Sequence, residues 1–143
     1  MYSIIILPLA AGLLSQLLKI FIKGNHLEFN LANLTAYSGM PSGHSAMVIS
    51  LVTTVGLTQG LASPIFAIAL VLAILVIRDA LGLRRYLGEH GKAINTLVKE
   101  LGQEHLINRY YPHLLEKVGH TPAQVLVGGL IGLAVSLVGY LIF

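Results

Sequence analysis

The sequence predicts an all-α integral membrane protein, with about four transmembrane helices and one amphipathic helix at the membrane interface. Three observations carry that prediction. The 143 residues are 55% hydrophobic and only 10% charged, with a mean hydropathy of +0.80, whereas ordinary soluble domains are about 25% charged. Apolar runs recur at lengths close to the roughly 20 residues that a helix needs to cross a bilayer core. Two of those runs open on Ser-Pro or Thr-Pro, which is a helix-start signal. The length allows a single membrane-embedded domain, 1–143. No cysteine is present, so disulfides and thiolate metal sites are excluded. The formal charge is +3. Such an excess in a membrane protein reflects the cytoplasmic bias of Lys and Arg, and no nucleic-acid partner is expected.

Taken in order, residues 3–22 are apolar except for Ser15, Gln16 and Lys19 and form the first span. A cleaved signal peptide is the rival, but no basic segment precedes the run and no small-x-small site follows it. Lys19 and Lys23 stand four apart on one face at its end. They are either snorkelling anchors or phosphate contacts. Residues 24–40 read as a loop with a short interfacial helix near 29–34. Residues 46–61 form the second span, whose Thr53, Thr54 and Gln59 suggest contact with other helices rather than lipid. Ser63 as cap and Pro64 at the first helical position open the third span, 64–77.

Residues 78–85 read R-D-A-L-G-L-R-R, and residues 86–119 make the one sizeable hydrophilic segment. Within it, Ala93, Ile94, Leu97, Val98 and Leu101 recur at helical spacing over 92–102. That predicts an amphipathic helix, lying either on the membrane surface or solvated and packed on the spans. Thr121, Pro122 and Gln124 form a capping-box pattern that opens the last span, 121–143. Gly128 and Gly132 form G-x-x-x-G, with Gly129, Ala134, Ser136 and Gly139 nearby. Small residues let helices approach closely, here within the chain or between the subunits of a homo-oligomer.

Four crossings place every Lys, Arg, Asp, Glu and His on one side of the membrane or at its border. The positive-inside rule then makes that side cytoplasmic, in a plasma membrane of bacterial inner-membrane type. Residues 41–44, 78–85 and 119–124, with Lys19 and Lys23, meet there at one depth. Residues 39–46 read G-M-P-S-G-H-S-A, where a helix should begin. A helix start offers free N–H groups and a positive dipole end to an anion such as phosphate. Arg and Lys neutralise phosphate oxygens. One histidine can attack phosphorus while another protonates the leaving oxygen. Phosphate-ester hydrolysis is therefore the chemistry that this cluster suits. A lone histidine at a helix start is also a common cap or surface residue.

The P-S-G-H-S-A of residues 41–46 is similar to the central signature of the type 2 phosphatidic acid phosphatase superfamily, which also contains vanadium haloperoxidases. His120, followed by Gln124, Val125 and Gly128, resembles its last signature, in which an Asp stands four residues after the His. The whole chain, with R-D-A-L-G-L-R-R and G-H-T-P-A-Q-V, looks like a small divergent branch of that superfamily. The resemblance implies that His120 is the nucleophile that forms a phosphohistidine and that His44 is the general acid. It implies that Ser42 and the Gly43 N–H hold phosphate oxygens and that Lys19 or Lys23 stands for the first signature's lysine. It implies no metal and no cofactor.

The chain departs from the pattern in three places. Arg-Pro is missing after the lysines, and Ser-Arg is missing before His120. Arg78, Arg84 and Arg85 are the candidate replacements, with residues 86–119 as an insertion between the arginine and histidine halves of the signature. Gln124 stands where Asp is expected, either as an imidazole-orienting group or simply as the capping box. Asp79 is either the missing carboxylate or an arginine's ion-pair partner. A metal site from Asp79, Glu100, Glu104 and His105 is discounted, because adjacent residues do not share a helix face. His26, His90 and His113 match no signature.

The expected function is hydrolysis of a lipid phosphomonoester such as phosphatidylglycerophosphate, phosphatidic acid or an isoprenoid phosphate, at the cytoplasmic face. The alternative is a non-catalytic membrane protein that binds phospholipid headgroups or a protein partner. A transporter lacks support, since no inverted repeat and no charge deep in the bilayer is evident.

Overall fold

The computed structural model describes residues 2–22, 39–102, 114–116 and 118–142. These form five helices: α1 (Ser3–Phe21), α2 (Gly43–Gln59), α3 (Pro64–Leu81), α4 (Leu83–Glu100) and α5 (Pro122–Ile142). No strand occurs among the described residues. The expected helix near residues 29–34, Lys23, His26, Glu104, His105 and His113 lie outside them.

Among the described residues, three stretches are long and apolar enough to cross a membrane: α1, the continuous α3–α4 run, and α5. The fourth expected span, α2, has only 17 residues. It is the central helix, packed against α1, α3 and α5. Its position explains its composition. Ser45, Ser50 and Thr54 are buried and bond to α5 or to the backbone rather than meeting lipid. Ser50 Oγ and Ser136 Oγ lie 2.7 Å apart, Thr54 Oγ1 donates to Ser136 Oγ at 3.1 Å, and Ser136 Oγ reaches Ser50 O at 3.0 Å. In an apolar surround such bonds tie helices together because water cannot replace them.

The helix starts follow the expected chemistry. Ser63 Oγ accepts from Phe66 N at 3.1 Å, with Pro64 in the first turn. At α5, Thr121 N donates to Gln124 Oε1 (3.0 Å) and Gln124 N donates to Thr121 Oγ1 (3.3 Å), a closed capping box. The G-x-x-x-G of α5 faces α2. A Cβ at Gly128 would overlap Ser42 O and Ser45 Oγ, and one at Gly132 would overlap Ala46 O. Of the two readings of this stripe, a contact within the chain or between subunits, the structure shows the first: both glycines are buried inside the chain's own α2–α5 contact.

The amphipathic helix starts nine residues earlier than the 92–102 periodicity implied. Arg84, Arg85 and Glu89 hide the period in the sequence, yet they lie on other faces of the same helix. Leu83, Leu87, Ile94, Leu97 and Leu101 are all exposed and form one stripe at helical spacing. Lys92 and Lys99 lie on the opposite face. Gly88 and Gly91 press on the returning chain, where a Cβ would stand 2.5 Å from Glu116 O and 2.8 Å from Leu115 O. Asn95 clasps that chain through Leu114 N (3.2 Å) and Leu114 O (2.9 Å). An apolar stripe, a basic back and a packed edge suit a helix lying in the membrane interface.

Candidate active site

The first wall of the site is the start of α2. Ser42 caps it, with Oγ accepting from Ser45 N at 3.4 Å. The Met40–Pro41 peptide bond before it is cis. Two contacts tie this corner to α5: Ser42 N donates to Gln124 O (3.0 Å), and Ser45 Oγ donates to Val125 O (2.9 Å). Close approach is open to these elements only because Gly128 has no side chain. Ser42 and Gly43 are buried, while His44 projects outward and is exposed.

The second wall is His120, which is 5% exposed. Gly119 places it. With φ at +90°, Gly119 lies against the α3–α4 corner, where a Cβ would stand 2.8 Å from Arg85 N. That tight passage lets His120 N donate to Ala80 O at 3.0 Å, satisfying a carbonyl of the last turn of α3 that has no intrahelical partner. The chain therefore leaves the site after Arg85 and returns to the same place at Gly119.

The two imidazole rings have centroids 6.4 Å apart and planes tilted by 53°. His120 Nδ1 lies 3.3 Å from Gln124 Oε1. The same Oε1 accepts from Thr121 N–H. A backbone N–H only donates, so the amide atom facing it is the oxygen, and His120 Nδ1 must carry a proton to bond it. The Nε2 lone pair is then free. Gln124 thus fills both roles considered for it, cap and imidazole orienter.

The cations divide into two groups. Lys19 is 2% exposed and ends a buried ladder of Leu7, Ala11, Ser15 and Lys19 on α1. A snorkelling anchor would keep its ammonium in water, so Lys19 takes the inward reading. Lys19 and Arg84 are the cations whose charge acts on both histidines. Arg84 Nε also pairs with Asp79 Oδ2 at 2.6 Å. Asp79 is therefore an ion-pair partner, and the histidine-orienting group is Gln124. Arg85 pairs with Glu89 at 3.3 Å on the exposed side of α4, and Arg78 is exposed beside an apolar groove. Neither is among the charges that act on the rings.

His120 is held below the ordinary histidine range. Burial is the largest cause, and the charges of Lys19, His44 and Arg84 add to it against the opposing hydrogen bond that His120 donates to Gln124. A neutral imidazole with a free Nε2 is a competent nucleophile at neutral pH.

Gln16 was not foreseen as part of this site. Its amide lies against Gly43, where a Cβ would stand 3.4 Å from Nε2. Its Oε1 is buried without a hydrogen-bond partner among the described residues. The available signal was its place three residues before Lys19 on one helix face.

The family model for the divergent PAP2 family matches residues 2–135. The chain is 37% identical over 142 residues to YuiD of Bacillus subtilis (strain 168), described as an uncharacterized membrane protein, covering 91% of this chain and 89% of that one. No solved structure matches.

Proposed function

The chain belongs to the divergent PAP2 family, and from that premise we propose that it is a membrane-embedded phosphatase acting on a lipid phosphomonoester. The observation that carries the proposal is the pairing of two histidines 6.4 Å apart, one of them anchored through Nδ1 by Gln124. His120 Nε2 attacks phosphorus, a P–N bond forms, and the P–O bond to the lipid alcohol breaks. His44 gives its proton to the leaving oxygen. In the second half, His44 takes a proton from water, the water oxygen attacks phosphorus, and the P–N bond breaks to release phosphate. Lys19, Arg84, Ser42 and the Gly43 N–H face the phosphoryl oxygens, where fixed donors stabilise charge that develops in the transition state.

The charge bias favours an active site on the cytoplasmic side, and hence a substrate made in the cytoplasmic leaflet. Phosphatidylglycerophosphate, phosphatidic acid and isoprenoid phosphates all carry the required phosphomonoester. The rival reading is headgroup binding without turnover. It draws on Gln124, since an amide cannot stabilise an imidazolium as a carboxylate does.

The test is phosphate release by purified protein from these three lipids. His120→Ala should reduce release to background. His44→Ala should reduce it by about 10²–10⁴-fold, the usual contribution of a general acid. Acid-labile phosphate should be trapped on the wild type and on His44→Ala but not on His120→Ala. Release unchanged in both variants sinks the assignment. Binding of the lipids with no release by wild type favours the headgroup-binding reading.

A further inference from the structure

We propose that the corner between α3 and α4 is a second lipid site, separate from the histidine pair, that holds an anionic phospholipid of the surrounding bilayer. A groove of about 470 Å³ lies there, lined by Ile74, Ile77, Arg78, Leu81 and Gly82. Ile74, Ile77, Arg78 and Leu81 follow one another at helical spacing on one side of α3. Ala69, Ala73 and Ala80 face the bundle instead. The groove therefore opens beside the bundle, toward the bilayer. Its floor is the turn at Gly82, where any Cβ would press on Arg78 O at 3.0 Å.

The groove's chemistry selects its occupant. The lining is apolar apart from Arg78, which stands at the end of the span where headgroups begin. The nearest carboxylate in sequence, Asp79, is engaged by Arg84, and Glu89 is engaged by Arg85. Among the described residues no acidic side chain is paired with Arg78. A cation at this depth attracts a lipid phosphate, and the aliphatic wall above it accepts an acyl chain. The exposed stripe of α4 begins one residue beyond Gly82, at Leu83, so the apolar surface continues from groove to interface. A phospholipid bearing a net negative charge fits this layout better than a zwitterionic one, whose own cationic headgroup would meet Arg78.

The chain has no Trp, so a single reporter is available. Val71 lies one turn above Ile74 on the same side and is 56% exposed, so Val71→Trp reads the groove without altering its lining. The full-length variant is reconstituted into phosphatidylcholine vesicles, and Trp quenching by acyl-brominated phosphatidylglycerol is compared with quenching by acyl-brominated phosphatidylcholine. The expected result is a roughly fivefold preference for the anionic lipid, the size that one basic side chain near a membrane surface supplies. The preference should disappear in Arg78→Gln, survive in Arg78→Lys, and persist in His120→Ala. Equal quenching by the two lipids overturns the proposal. So does a preference that survives Arg78→Gln. A preference lost in His120→Ala would locate the lipid at the histidines and overturn it as well, whatever the outcome of the hydrolysis assay.

Discussion

Gln124 Oε1 accepts from both Thr121 N–H and His120 Nδ1–H, so a single amide oxygen fixes the helix start and the His120 tautomer together. Gln124→Glu keeps the capping box, since Glu serves at that position, and adds a charge beside the ring. An opposing charge at that range raises a histidine's pKa by about 1–3 units. The acid limb of the rate profile should therefore move to higher pH. In the wild type it should lie below the ordinary histidine value of about 6.5, because His120 is held low by burial and neighbouring cations. The same depression sets a stability trend. The unfolded chain binds the His120 proton more readily, so that contribution is complete above about pH 6.5 and is lost as pH falls through the lower folded value. Rate profiles of wild type and Gln124→Glu check the first claim, and thermal melts in detergent across pH 5–8 check the second. Gly119→Ala forces a Cβ into a positive-φ position against Arg85 N. We expect a strain of about 1–3 kcal/mol and a loss of activity larger than the fall in melting temperature suggests, because His120 would be displaced.

At the scale of elements, the α2–α5 contact governs the site. Gly128 and Gly132 bring the two backbones together near the cap, and Ser50, Thr54 and Ser136 hold them further along. The two regions separate geometry from stability. Gly128→Val should push the Ser42 corner away from Gln124, costing about 1–3 kcal/mol as overpacking and abolishing phosphate release. Ser136→Ala should cost about 0.6–2 kcal/mol, the range of hydrogen bonds between membrane helices, while leaving KM and pH profile unchanged. Denaturation midpoints together with kinetics on both variants test this division. Equal effects on catalysis would mean that the glycine contact does not position the site.

Across the whole molecule, the arrangement of charge sets orientation. α1 and α3 carry their charged residues, Lys19 and Arg78 with Asp79, in their last turns, α5 is uncharged, and α4 continues from α3 with its apolar stripe outward. Lys92, on the basic back of α4, should lie in the cytoplasm. The chain has no cysteine, so Lys92→Cys is a unique label site. A membrane-impermeant maleimide should leave it unmodified in intact cells and modify it in inverted vesicles. Labelling from outside intact cells reverses the orientation and, with it, the argument for a substrate in the cytoplasmic leaflet.

The sequence alone determined the apolar helices and the starts at Pro64 and Pro122, because apolar run length, Ser-Pro and the Thr121–Gln124 capping box act over a few residues. It also determined that Ser42, His44 and His120 gather at one end of the spans, since that follows from counting crossings. It left open which cations turn inward, because Lys19, Arg78, Arg84 and Arg85 are alike as charges and differ only in the face they occupy. The tertiary structure decided that. It buried Lys19, placed Arg84, paired with Asp79, where its charge acts on both histidines, and left Arg78 and Arg85 exposed. It also made the G-x-x-x-G an internal contact, since a small-residue stripe carries no mark of its partner. The early start of α4 was hidden for a related reason: its charges interrupt the run in sequence but stand on a different face in space. Local signals are written in neighbouring residues, whereas the choice among equivalent charges and faces depends on packing between helices far apart in the chain.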